Sequence, residues 1–172
     1  QQTQPDRMHG NFVRARCIHG IPKAGARICP SAIPRTPAGI VKISFCIITL
    51  NEEENLGRCL ASCAPLADEI VIVDSGSTDG TEQIARQYGA RFIHQDWLGY
   101  VGQKNLALDL AQHEWVFSID ADEELSSELT REIAALKQSG PPADVAGFSM
   151  PRCVFYEGRW IRHGDWYPDR LV

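Results

Sequence analysis

The sequence predicts an α/β fold: a mostly parallel sheet with helices on both faces. Three observations carry that expectation. Short apolar runs rich in β-branched residues recur from Lys42 onward, a stretch with helical spacing follows each, and capping or turn residues stand at the junctions. Strands buried on both faces and joined by right-handed crossovers read as near-continuous apolar runs, as these do.

Ile43 to Ile48 is the first such strand. Asn51, with Glu54 three residues on, has the pattern of a capping box that opens a helix to about Cys63. Leu56, Cys59, Leu60 and Cys63 fall at i, i+3, i+4 and i+7, so they form that helix's buried stripe. Glu69 to Val73 is the second strand, and Asp79 with Glu82 caps a helix that Gly89 closes. Arg91 to His94 is the third strand, Leu106, Ala107, Leu110 and Ala111 mark the third helix, and Trp115 to Ile119 is the fourth strand. Leu125, Leu129, Ile133 and Leu136 give a fourth helical stripe, stopped by Gly140-Pro141-Pro142.

At 172 residues, 44% hydrophobic and 23% charged, the composition is that of a globular domain and excludes fibrous or wholly disordered classes. The longest apolar run, Ile43 to Leu50, is far short of the roughly 18 to 20 residues of a membrane span. Gln1 to Pro22 has no apolar core of an export signal, so a cytoplasmic location is expected. Six cysteines without a Cys-x-x-Cys pair suggest neither a disulfide framework nor a zinc site.

The net charge of −5 divides unevenly: residues 1–40 carry +5 and the remaining 132 carry −10. Half of the ten prolines also lie in residues 1–40. That segment is therefore expected to be a disordered, basic, proline-rich arm, with residues 41–172 as the folded domain. An alternative reading takes Val41 as the natural start and the arm as foreign to the protein. The arm's charges are dispersed rather than blocked, so no nucleic-acid partner is expected.

In a parallel sheet ligands bind beyond the carboxyl ends of the strands. Here those positions are Thr49 to Glu53, Asp74 to Asp79, Gln95 to Trp97 and Asp120 to Glu124, and they are acidic. Thr49-Leu50-Asn51-Glu52-Glu53-Glu54 contains no glycine-rich phosphate cradle, which excludes a P-loop enzyme or a dinucleotide-dependent dehydrogenase. Glu53 and Glu54 are read as favouring a helix N-terminus, and Glu52 as facing the cleft. Asp120-Ala121-Asp122 sets two hard oxygen donors at the lip of the sheet, a spacing suited to Mg²⁺ or Mn²⁺ with substrate phosphates completing the shell. For Asp74 the competing reading is an Asx turn with Ser75-Gly76, for Asp79 a helix cap, and for Lys104 a solvated helix lysine. A haloacid-dehalogenase-type phosphatase also uses Asp-x-Asp, with Asp120 as nucleophile and Asp122 as acid, but after its first strand rather than its fourth.

Ile47 to Glu52, Val71 to Thr81, Gly102-Gln103-Lys104-Asn105 and Asp120-Ala121-Asp122 together resemble, in order and spacing, family 2 glycosyltransferases of the Rossmann-like GT-A fold. Gly158 to Asp169 is similar to a later segment of bacterial enzymes that add a sugar to the lipopolysaccharide inner core. The resemblance runs from about Lys42 to Val172. It implies that Thr49, Asn51, Glu52 and Ser75 line the nucleotide-sugar pocket and that Asp74 accepts a hydrogen bond from the base, typically uracil. It further implies that Lys104 reaches the nucleotide, that Asp120 holds the ribose or metal side, and that Asp122 ligates a divalent metal.

The activity so implied is inverting transfer of a sugar from a nucleotide diphosphate, UDP first, to a saccharide or lipid-linked saccharide acceptor, with peripheral attachment at the inner membrane. One carboxylate must take the acceptor's proton, and Asp165, beside His163 and Trp166, is the first candidate, with Asp169 second. Tyr156, Trp160, Trp166 and Tyr167 could stack on acceptor sugar rings. Domains of this family usually extend further, so the chain is expected to be C-terminally truncated. A nucleotide-sugar-binding fragment that does not catalyse is the alternative.

Overall fold

A computed structural model describes residues 11–14, 41–142, 145–162 and 169–170 of the chain. Its strands are β1 (Asn11–Arg14), β2 (Ile43–Thr49), β3 (Glu69–Asp74), β4 (Arg91–His94), β5 (Trp115–Ser118), β6 (Gly147–Phe148), β7 (Pro151–Arg152), β8 (Val154–Tyr156), β9 (Arg159–Ile161) and β10 (Asp169–Arg170). The helices are α1 (Leu56–Cys63), α2 (Thr81–Gln87), α3 (Gly99–Asp109) and α4 (Ser127–Ser139).

The main sheet has the order β4-β3-β2-β5-β1-β6. Strands β4, β3, β2 and β5 run parallel, whereas β1 is antiparallel to both β5 and β6. The mostly parallel sheet expected from the sequence is thus present, with an antiparallel flank. Asn11–Arg14 pairs with Trp115–Ser118 inside the segment expected to be disordered, and the other residues of 1–40 lie outside the described ones. β1 lies along the edge of β5 that faces away from β2.

Alternation along each strand divides the core between the two faces. Ile43, Phe45 and Ile47 of β2 join Ile70 and Ile72 of β3 and Phe117 of β5 beneath Leu56, Cys59, Leu60 and Cys63 of α1, Ala85 of α2, and Leu129 and Ile133 of α4. Cys46, Val71, Val73 and Val116 point the other way, toward Ala107 of α3. Helices therefore cover both faces. All four residues of the α1 stripe are fully buried, as their spacing requires. Burying a side chain of leucine size contributes roughly 1.5–3 kcal/mol, so this stripe is what docks a helix of only eight residues.

Two helix starts differ from expectation. The N-cap of α1 is Asn55, not Asn51, and Glu54 completes no capping box. The N-cap of α2 is Gly80, although Asp79 still accepts from the Thr81 N–H at 3.0 Å. Ser126 caps α4 by accepting from the Leu129 N–H at 3.1 Å, and Gly140, at φ +74°, ends that helix in a conformation open chiefly to glycine.

Candidate active site at the carboxyl edge of the sheet

The chain leaves β2 for β3 on one side and returns to β5 on the other, so the topological switch point lies between β2 and β5. The loop after β2 and the loop after β3 meet at this edge. The Ser75 N–H donates to the Thr49 carbonyl at 2.9 Å. Side chains then fasten the two loops in both directions. Asn51 N–H donates to Ser77 Oγ at 2.7 Å, while Thr78 N–H donates to Asn51 Oδ1 at 2.8 Å. Glu52 N–H donates to Thr81 Oγ1 and Glu53 N–H to Asp79 Oδ2, and the Gly80 N–H returns a bond to Glu53 Oε2 at 2.7 Å. Here is the physical reason that Asn51 caps no helix: at φ +54° it turns the backbone sharply, and its amide oxygen is taken by the neighbouring loop.

Asp74, only 2% exposed, is the hub of the second loop. It accepts from Thr49 Oγ1 and from the Gly76 and Ser77 N–H groups, each at 2.8 Å, and from Ser77 Oγ. Burial pushes its carboxyl upward, but these hydrogen bonds outweigh that and hold it below the usual carboxylate range. The bond from Gly76 is the Asx turn that competed with a ligand role in the sequence. With both oxygens engaged inside the protein, Asp74 organises the loop after β3.

On the other side of the switch point, Lys104 Nζ from α3 lies 2.7 Å from Asp120 Oδ1, each side chain about a third exposed. Asp122 is exposed and makes no ion pair or hydrogen bond among the described residues. Glu123 is drawn inward: its Oε2 accepts from the Asp120 N–H at 3.0 Å, and its Oε1 lies 3.4 Å from Arg152 Nη1. Burial pushes the Glu123 carboxyl up against the opposing hydrogen bond from Asp120 N–H, and the Asp120 charge adds to the rise. Arg58 of α1 holds Glu124 at 3.4 Å.

Thr49 and Ser75 are present at this edge with Asn51 and Glu52, as expected. Glu52 is half-buried and accepts from Asn55 Nδ2 at 3.0 Å. Asp165 lies outside the described residues, as do His163, Trp166 and Tyr167. Asp169 stands in β10, opposite Arg152 in β7. Tyr156 is exposed on β8, whereas Trp160 of β9 packs its ring 4.9 Å from Phe155.

Two organising residues escaped the sequence reading. Gln103 is fully buried: its Nε2 donates to Ser75 Oγ and to the Gln95 carbonyl, and its Oε1 accepts from the Leu98 N–H. The available signal was its i, i+4 spacing to Ala107, which puts a glutamine on the buried stripe of α3. Glu123 was hidden among four acids that look alike in sequence.

For a divalent cation, Asp120 and Asp122 supply hard oxygen donors from one turn. Among the described residues no group of three or more candidate ligands is assembled. A pair of carboxylates fits an ion that keeps several waters and takes phosphate oxygens from a substrate, and it does not fit a closed protein cage.

An α/β sheet with its polar residues gathered at this edge places its ligand site at the switch point. Residues 44–170 match the model of glycosyl transferase family 2, and the chain belongs to that family. It is 47% identical over 131 residues to the lipopolysaccharide core biosynthesis glycosyltransferase LpsC of Rhizobium meliloti, covering 73% of this chain and 46% of LpsC. It is 43% identical over 117 residues to an uncharacterized glycosyltransferase of Rickettsia typhi, covering 68% of this chain and 40% of that one. The chain thus spans less than half the length of these curated relatives. It is also similar to the crystal structure of S. aureus TarS 1-349, at 30% identity and a TM-score of 0.46, over 56% of this chain and 32% of that one.

Proposed function

We propose that the protein transfers a sugar, with inversion, from a nucleotide diphosphate sugar carrying UDP to a saccharide or lipid-linked saccharide acceptor in lipopolysaccharide core or related envelope-glycan synthesis. The observation that carries this reading is the Lys104–Asp120 contact, with Asp122 exposed on the same turn, at the switch point of a family 2 sheet. The relationship to LpsC supports the acceptor class.

In this reading the loops after β2 and β3 hold the nucleoside, with Thr49, Asn51, Glu52 and Ser75 at the wall. Lys104 places a positive charge where the diphosphate develops negative charge as the anomeric bond breaks. Asp120 and Asp122 would hold Mg²⁺ or Mn²⁺, which when bound neutralises the departing diphosphate. The acceptor hydroxyl attacks the anomeric carbon from the opposite face, and its proton passes to a carboxylate, for which Asp165 is proposed. The site is taken to face the cytoplasm, with peripheral membrane contact for a lipid-linked acceptor. Among the described residues no helix is long and apolar enough to cross a membrane.

Calorimetric titration with UDP, GDP, CDP and ADP, each with and without Mn²⁺, tests this on the wild type and on Asp122→Ala. One nucleotide should bind in a metal-dependent way and lose that dependence in the variant. Radiolabelled sugar transfer then separates an enzyme from a fragment that only binds donor. Absence of nucleotide binding under every condition would overturn the reading.

A further inference from the structure

The turn from Asp120 to Glu124 packs four carboxylates into five residues, and such a loop repels itself unless something holds it. Each fastening comes from a different element. Lys104 of α3 takes Asp120, Arg58 of α1 takes Glu124, and Arg152 of β7 takes Glu123. Glu123 differs from the others because its carboxylate also folds back on the turn itself. Its Oε2 accepts from the Asp120 N–H at 3.0 Å, and the Glu123 N–H donates to the Asp120 carbonyl at 3.0 Å. That reciprocal pair fixes the backbone on both sides of Ala121, whose side chain is buried in the core beside Leu125. Asp122 is thereby turned outward.

We propose that Glu123 is a positioning residue for the Asp120–Asp122 pair. The inference rests on the donor-site reading above. Glu123 touches neither donor nor acceptor in this account. It sets the distance and direction between the two carboxylates, and residues that orient metal ligands from behind typically change metal affinity by about 10- to 100-fold when removed.

The test compares wild type, Glu123→Ala and Glu123→Gln in three measurements: binding of UDP alone, binding of UDP with Mn²⁺, and hydrogen exchange of the Asp120 amide. Glutamine keeps an oxygen acceptor for that amide and loses the charge facing Arg152. Glu123→Ala should weaken Mn²⁺-dependent UDP binding at least tenfold, leave metal-free UDP binding within about twofold, and expose the Asp120 amide to exchange. Glu123→Gln should restore amide protection and most of the metal-dependent binding, which a role in bulk stability does not predict. Equal losses with and without Mn²⁺, or wild-type behaviour in Glu123→Ala, would overturn the proposal. Should Glu123→Ala fail to fold, a Glu123→Gln protein with unprotected Asp120 amide overturns it alone. A wild type that shows no metal-dependent UDP binding sinks the donor-site reading and this proposal with it.

Discussion

Lys104 on α3 and Asp120 on the turn after β5 meet at 2.7 Å across the carboxyl edge of the sheet. Both side chains are about a third exposed, so solvent screens the pair, and ion pairs of this kind contribute about 0–1 kcal/mol to stability. Its place at the switch point, rather than its energy, is what makes the contact informative. In the proposed donor site, a diphosphate arriving there would compete with Asp120 for the ammonium group.

Replacing Lys104 by methionine should therefore separate binding from folding. We expect Lys104→Met to unfold within about 4 °C of wild type, since less than about 1 kcal/mol is lost. Affinity for UDP with Mn²⁺ should fall by roughly tenfold or more, equivalent to about 1.4 kcal/mol. Differential scanning fluorimetry and calorimetric titration on the same samples check both halves. Unchanged affinity would return Lys104 to the status of a surface lysine.

Asp74 gives a pH dependence whose sign follows from its depressed pKa. The folded protein holds this carboxylate below the usual range through Ser77, Thr49 and Gly76, whereas an unfolded aspartate titrates near 3.9. The native state therefore releases the proton more readily than the unfolded chain. The resulting stability is complete above about pH 4 to 5 and disappears as pH falls through the lower folded value. Asp74→Asn turns an amide NH₂ toward two backbone donors or toward Thr49 and Ser77, leaving buried donors unpaired at a cost of about 1–3 kcal/mol. Urea melts at pH 7 and pH 3 should show the variant less stable at pH 7 and the difference narrowing at pH 3.

Much of this fold was legible because its information is local. Ile43, Phe45 and Ile47 alternate with Ser44 and Cys46, and period two alone divides them between the faces of β2. The α1 stripe and the glycine ending α4 are equally local. What sequence spacing could not show depends on partners far along the chain. Asn51 has a capping pattern nearby, but its amide oxygen is claimed by Thr78, 27 residues away. Phe12-Val13 finds the edge of β5 a hundred residues on. The strand-end acids were legible as a group from the topology of a parallel sheet. Which of them faces outward, and that Glu123 turns in, depends on Arg152, Lys104 and Arg58 arriving from three separate elements.

Asn51 allows strain and hydrogen bonding to be measured apart. At φ +54° a residue with a Cβ is disfavoured by roughly 1–2 kcal/mol, less so for asparagine, while glycine is not. Both Asn51→Ala and Asn51→Gly lose the bond from the Thr78 N–H, about 0.5–1.5 kcal/mol. The alanine variant should therefore be the less stable of the two by about 1 kcal/mol. Equal stability in chemical denaturation would mean that the loop relaxes away from its left-handed turn.

Gln103 joins three segments: the loop after β3 through Ser75, the end of the β4 segment through the Gln95 carbonyl, and the start of α3 through the Leu98 N–H. Leucine at this position is close in size and apolar, yet it removes both a donor and an acceptor from a fully buried place. Each group left unpaired costs about 1–3 kcal/mol, so Gln103→Leu should destabilise the fold by at least about 2 kcal/mol. Gln103→Glu keeps the acceptor for Leu98 but sets a second carboxylate oxygen against the Gln95 carbonyl, so it should be no better at pH 7. Because Lys104 is the next residue on the same helix, slippage at Gln103 moves the ammonium group relative to Asp120. Gln103→Leu should consequently lose UDP affinity at temperatures where it is still folded, whereas a substitution at the exposed Tyr100 on the same helix should not. Denaturation curves and titrations run side by side on Gln103→Leu and Tyr100→Ala distinguish a register-setting glutamine from one that only fills space.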